Sequence, residues 1–175
     1  MLASVIVVLA TAVVLQDSTL PTAVRPDSAP RPPTLEQLRY TEGLRSVARG
    51  VAQLRDGLDR VARTQQTRDT LRQRQAGRRL GGLCTTARSF MSGGRPRMQP
   101  SAYADSMRIV ARQLTARVDS ILKFLPTCET TAGKKPASVA ADLLNRMRAY
   151  EGALAAYRAG LAPPKPDSIK TPSQQ

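Results

Sequence analysis

"EGLRSVARGVAQLRDGLDRVAR", residues 42–63, decides how the chain folds. Its apolar residues belong to a longer series, Tyr40, Leu44, Val47, Val51, Leu54, Leu58 and Val61, in which steps of four and three alternate. Such steps put every member on one stripe of an α-helix, the heptad seam of packed helices. Asp56 with Arg60 and Asp59 with Arg63 add acid-before-base pairs four apart, in the favourable orientation. Set into this stretch are Gly43, Gly50 and Gly57, seven residues apart. Each weakens a helix by about 1 kcal/mol relative to Ala, so this helix needs a packing partner. With Leu44, Val51 and Leu58 at heptad position a, the glycines fall at g, where a missing side chain lets two backbones come close. The partner is either a second copy or another protein, docked on Leu44, Val47, Val51, Leu54, Leu58 and Val61, or a helix of the same chain. Self-association through that seam is the expectation carried forward.

Working outward, Thr34 stands before Leu35 with Gln37 three residues on, the pattern of a capping box, so a helix starts there. The seam lapses between Arg63 and Gln75, where Gln65, Arg68 and Arg72 occupy its face. Ala76, Leu80, Leu83, Ala87 and Phe90 resume on the same side, because Ala76 lies 18 residues, five turns, after Leu58. One helix over about 35–91 follows, or two with a bend at Gly81-Gly82. "SGGRPRMQP", 92–100, reads as a loop. Ser101 can cap a helix with face Tyr103, Met107, Val110, Leu114, Val118, Ile121 and Leu125, stopped by Pro126. A further helix over about 137–159 carries Leu143, Met147, Tyr150, Leu154 and Tyr157.

No Trp, two Phe and four Tyr among 175 residues leave an interior of Leu, Val and Ala, which suits packed helices better than sheets. The expected fold is all-α: a long N-terminal helix suited to a coiled coil, a disulfide-linked antiparallel helical pair, and disordered tails. Residues 1–16 form the leader, 17–33 a Pro-rich linker, 34–161 the helical domain and 162–175 the tail.

The leader "MLASVIVVLATAVVL" is apolar and uncharged from Leu2 to Leu15, about 21 Å of helix against a bilayer core of about 30 Å. It reads as a signal-peptide core with Ala10-Thr11-Ala12 as the cleavage site, although a basic residue before the core is missing. The protein is therefore expected to be secreted or periplasmic, with the leader removed or kept as an inner-membrane anchor. Cys84 and Cys128 are the only cysteines, and in an oxidising compartment they read as one disulfide; the alternative is two buried thiols. The pairing constrains the layout. A helix over 101–125 spans about 37 Å and 84–92 only about 13 Å, so a tight hairpin would separate the cysteines by about 24 Å. Residues 93–100, extended over about 25 Å alongside the second helix, close that gap.

Basic residues number 27 against 13 acidic, and 22 of the 27 are Arg. That imbalance favours an acidic protein or another anionic surface as partner, unless it merely solvates the chain. The most polarised stretch, 60–97, holds ten arginines against the single acid Asp69. Arg68, Arg72 and Arg79, spaced four and seven, are the candidate docking site, because guanidinium donors match carboxylate and phosphate. The stretch lacks interleaved aromatics and any nucleic-acid fold signature, which argues against a nucleic-acid partner. With no His, no Gly-rich phosphate loop and no nucleophile elbow, neither an enzyme nor a cofactor or metal site is expected.

"AGRRLGGLC" followed by a helix ending at "TCE", behind an apolar leader and a heptad stretch, is similar to the layout of inner-membrane phage spanin subunits. The likeness implies an anchored periplasmic coiled coil acting in membrane disruption; the helix at 137–159 and the short leader depart from it. In composition alone the chain is similar to basic, helical periplasmic chaperones, which implies a polyanion-binding role. The expected function remains a non-enzymatic, exported helical scaffold or adaptor that binds an acidic partner.

Overall fold

The structure, a computed structural model, describes residues 32–162. The leader, nearly all of the linker and the tail from residue 163 lie outside the described residues. The described chain is all-α: α1 Leu35–Gln65, α2 Thr70–Gly94, α3 Asp105–Thr131 and α4 Pro136–Leu161, with short 3-10 turns at Arg95–Arg97 and Pro100–Ala102.

The start of α1 is built as its sequence requires. The Gln37 amide N–H donates to Thr34 Oγ1 at 3.3 Å and the Thr34 N–H donates to Gln37 Oε1 at 3.0 Å, so two donors left free at a helix start are satisfied reciprocally. The seam fails at Thr67, and there the single long helix is corrected to two. Asp69 caps α2 by accepting from the N–H groups of Leu71 and Arg72, at 2.9 and 3.1 Å. With polar residues on the buried side, no apolar contact repays continuing the helix, and a carboxylate at the next N-terminus stabilises a restart. The helix does not break at Gly81-Gly82; α2 is continuous through both glycines.

From that turn α2 doubles back along α1, and the spaced glycines mark the line of contact. A Cβ on Gly57 would lie 2.7 Å from Leu80 Cδ1, one on Gly50 2.7 Å from Met91 Cγ, and one on Gly43 2.6 Å from the Gly94 carbonyl oxygen. The seam is thus filled from within the chain. Val47, Val51, Leu54, Leu58 and Val61 are buried and Leu44 half-buried, in a core they share with Leu80, Ala87, Met91, Leu114, Val118, Leu143 and Met147. Self-association through Leu44, Val47, Val51, Leu54, Leu58 and Val61 is corrected accordingly: a second copy would have to displace α2 and α4, exposing apolar side chains that each gain about 2 kcal/mol by burial.

The third helix runs parallel to α1 and the fourth runs back. Tyr40 near the start of α1 hydrogen-bonds the carbonyl of Ala111 near the start of α3, while at the far end Cys84 of α2 is disulfide-bonded to Cys128 of α3. Arg55 pairs with Glu151 at 2.6 Å, and Tyr157 near the end of α4 stacks on Tyr40 at 5.5 Å. The result is an up-down-up-down four-helix arrangement. The disulfide closes a sequence separation of 44, which on the chain-entropy estimate contributes about 4 kcal/mol.

Ser101 does not cap α3; it lies in the second 3-10 turn, and α3 begins at Asp105 behind Ala104. The connection 95–104 runs back beside α3 as the cysteine pairing demands. Arg95 donates Nε and Nη2 to both carboxylate oxygens of Asp119, at 2.5 and 2.9 Å, fourteen residues inside α3. Arg97 pairs with Glu42 of α1 at 2.9 Å, and Met98 is fully buried against Gly43 of α1. Pro126 does not stop α3, which continues to Thr131. Proline removes one N–H and strains one turn, but Pro126 faces solvent, and the turns on either side of it seat Leu125, Cys128 and Ala132 in the core.

All four tyrosines are buried. Tyr40, Tyr103 and Tyr157 pack with ring centroids 5.2–5.8 Å apart, and the Tyr103 and Tyr157 hydroxyls are hydrogen-bonded to each other. Burial pushes the Tyr40 phenol up to about 12, partly offset by the hydrogen bond to Thr115, and raises Tyr103 and Tyr150 as well. A raised folded-state value means stability that is complete below the unfolded value of about 10 and is lost as pH climbs through 10 to 12. Tyr40 alone is expected to remove on the order of 1 kcal/mol of stability at pH 11. Urea midpoints at pH 9 and 11, read beside phenolate absorbance, check this; phenolate forming near pH 10 in the folded protein would contradict it.

Candidate anion-binding cleft

The α1–α2 turn brings the arginines of two helices face to face. On α1, Arg60 and Arg63 are three apart; on α2, Arg72 and Arg79 are seven apart, so each pair lies on one helical face. Together with Thr64, Gln75 and Ala76 they line a cleft of about 300 Å³ at the end of the bundle. Ala76, 6% exposed, is the small residue between the two α2 arginines. No acidic residue lines the cleft.

Two guanidinium groups are held by carboxylates outside it. Arg60 pairs with Asp56 at 3.0 Å and Arg72 with Asp69 at 3.1 Å. Asp69 is at the same time occupied by capping α2. Both pairs are solvent-exposed and contribute little to stability, well under about 1 kcal/mol each, so their effect is to orient the side chains. Arg63 Nε donates to the Asp59 carbonyl at 3.3 Å. Among the described residues neither Arg63 nor Arg79 has a carboxylate within salt-bridge distance. The cleft therefore carries an uncompensated positive charge of two. Arg78 packs against Gly133 of the α3–α4 turn, beside Lys134 and Lys135, so the same end of the bundle stays basic beyond the cleft.

Arg72 and Arg79 lie where the α2 spacing puts them. Arg68 does not join them: it sits in the turn between α1 and α2 and is not among the cleft residues. Arg68, Arg72 and Arg79 therefore do not come together as one group; the arginines that line the cleft are Arg60 and Arg63 of α1 with Arg72 and Arg79 of α2. Arg60 and Arg63 are absent from the sequence reading of the site because their acid-before-base spacing accounted for them locally. The signal that could have found them is Asp69 before Thr70-Leu71, a helix-capping residue inside the lapse of the seam, since a hairpin turning there must oppose 60–63 and 72–79.

The opposite end of the bundle is different in kind. Pro33, Gln37, Thr41, Met107 and Leu161 surround the outer edge of Tyr103, where the chain enters and leaves the helices. Arg60 lies 25 residues after Leu35, so the arginine cleft is about 38 Å along α1 from the helix start. Among the described residues no helix is long and apolar enough to cross a membrane, and no group of three or more His, Cys, Asp and Glu is placed to hold a metal ion. Compared with protein-family models, curated proteins and solved structures, the chain gives no match.

Proposed function

We propose that the protein is an exported, non-enzymatic helical adaptor that docks an acidic partner on the arginine cleft between α1 and α2. The observation that carries this reading is the convergence of Arg60, Arg63, Arg72 and Arg79 on one cleft with no acid in its lining. Scattered surface arginines would give a diffuse field and little selectivity; forks facing each other across a cleft can hold a carboxylate or phosphate from both sides. The disulfide is compatible with an oxidising compartment and supports export together with the apolar leader. The membrane-disrupting coiled-coil reading loses its support where the seam is filled by α2 and α4. A polyanion-binding role is the rival that the test must separate.

Binding of a glutamate-rich peptide at low salt provides that test. Replacing Arg60, Arg63, Arg72 and Arg79 by Glu is expected to weaken binding about 30-fold, from four exposed contacts of about 0.5 kcal/mol each. The control reverses Arg49, Arg112, Arg117 and Arg148, all exposed and outside the cleft. Arg146 is unsuitable as a control, since its guanidinium lies 4.9 Å from the Phe124 ring centroid and donates to Ser120 at 2.7 Å. Equal losses from both sets would mean that bulk charge binds the peptide, and the polyanion reading would replace the docking site.

A further inference from the structure

We infer that the cleft is a recognition site for a phosphate monoester, presented either by a soluble ester or by a lipid headgroup of the same chemistry. The inference rests on the docking reading above and narrows it from acidic groups in general to one. Charge is the first argument. With Arg60 held by Asp56 and Arg72 by Asp69, the two uncompensated guanidinium groups are Arg63 and Arg79. A phosphate monoester carries about −1.5 to −2 at neutral pH and three terminal oxygens. A carboxylate or a phosphate diester brings a single negative charge and fewer free oxygens, and leaves one guanidinium uncompensated.

Geometry is the second argument. Arg63 comes from α1 and Arg79 from α2, the two helices that wall the cleft. A planar guanidinium binds two oxygens in parallel, so a three-oxygen group can engage both walls at once, whereas a two-oxygen carboxylate satisfies one. The Arg63 stem is tied by its Nε to the Asp59 carbonyl, which leaves its terminal NH2 groups for a ligand. Arg60 and Arg72, fixed from outside by their carboxylates, and the Gln75 side-chain amide complete a lining rich in donors. The volume of about 300 Å³ leaves room for the first atoms of the esterified group.

Calorimetric titration of the whole protein with glycerol 3-phosphate, dimethyl phosphate and acetate tests the inference at fixed ionic strength. The monoester is expected to bind at least about tenfold more tightly than either monoanion. Arg63→Gln with Arg79→Gln should remove that preference, while Arg63→Lys with Arg79→Lys, which keeps charge without the fork, should reduce it. Arg49→Gln with Arg148→Gln should leave it intact. Helical circular dichroism of each variant reports that the fold persists, as expected for changes at exposed positions. Phosphatidylcholine vesicles doped with phosphatidic acid or with phosphatidylglycerol separate the two sources. Preference for phosphatidic acid assigns a headgroup, and equal binding with the soluble preference retained assigns a soluble ester. No monoester preference, or a preference that survives loss of both arginines, overturns the inference. If the glutamate-rich peptide still needs the four arginines in that case, the docking reading stands without it; monoester binding without peptide binding would instead sink the docking reading.

Discussion

Gly43→Ala and Gly94→Ala are each expected to destabilise the protein by about 2 kcal/mol or more, although alanine is the better helix former by about 1 kcal/mol. The reason is reciprocal backbone contact. A Cβ on Gly43 would lie 2.6 Å from the Gly94 carbonyl oxygen, and one on Gly94 would lie 2.5 Å from the Gly43 carbonyl oxygen. Neither obstacle is a side chain that can rotate away. The helices would have to separate, loosening the packing that continues through Met91, Ala87 and Leu80. Gly82 and Gly152 supply the opposite sign: both are helical and exposed, with nothing within 4 Å of an added Cβ. Gly82→Ala and Gly152→Ala should each stabilise by up to about 1 kcal/mol through propensity and the unfolded chain. Denaturant midpoints of the four single variants decide the matter. Stabilisation by all four would mean that α1 and α2 are not in contact at Gly43. The double variant of Gly43 and Gly94 should cost less than the sum of its parts, because one separation relieves both clashes.

The sign reversal also explains why the sequence states so much of the fold and so little of its closure. Helical faces are written in side-chain periodicity, and the apolar series from Tyr40 to Val61, Tyr103 to Leu125 and Leu143 to Tyr157 are largely buried as spaced. Thr34 and Gln37 announce the first cap because the motif is local. The identity of a helix's partner is not local. Gly43, Gly50 and Gly57 say that some backbone comes close, and nothing in their spacing distinguishes α2 from a second copy. The cysteines carried long-range information: from them follows a connection lying beside the next helix, although their pairing predicts it extended over 93–100, whereas Gly93 and Gly94 belong to α2 and 3-10 turns fill Arg95–Arg97 and Pro100–Ala102. Pro126 misled because its local preference for ending a helix is outweighed by the contacts of Cys128 and Ala132 beyond it. Phe90, read as part of the α2 face, is 36% exposed, and Met91 takes the buried position.

The cleft depended on the same missing piece. Arg72 and Arg79 stood out because they interrupt an apolar stripe, whereas Arg60 looked satisfied by Asp56 and Arg63 by Asp59. Only the reversal of the chain at Thr67 to Asp69 turns two separately explained pairs into one lining. The cleft therefore exists only if α1 and α2 form a hairpin. A continuous helix over 35–91 would place Arg60 and Arg79 some 28 Å apart along its axis, too far to share a ligand.

A single distance is the most direct test of that claim. Spectroscopic probes at Arg45 and Ser89, both exposed, report it in protein diluted with unlabelled chain so that only intramolecular pairs count. In the hairpin, Ser46 Oγ donates to the Phe90 carbonyl at 2.8 Å, so the neighbouring positions face each other across the two helices. The probes are expected within about 25 Å, linkers included. A single helix would hold the same positions, 44 residues apart, at about 66 Å. The short distance is the predicted result; the long one would dissolve both the bundle and the cleft.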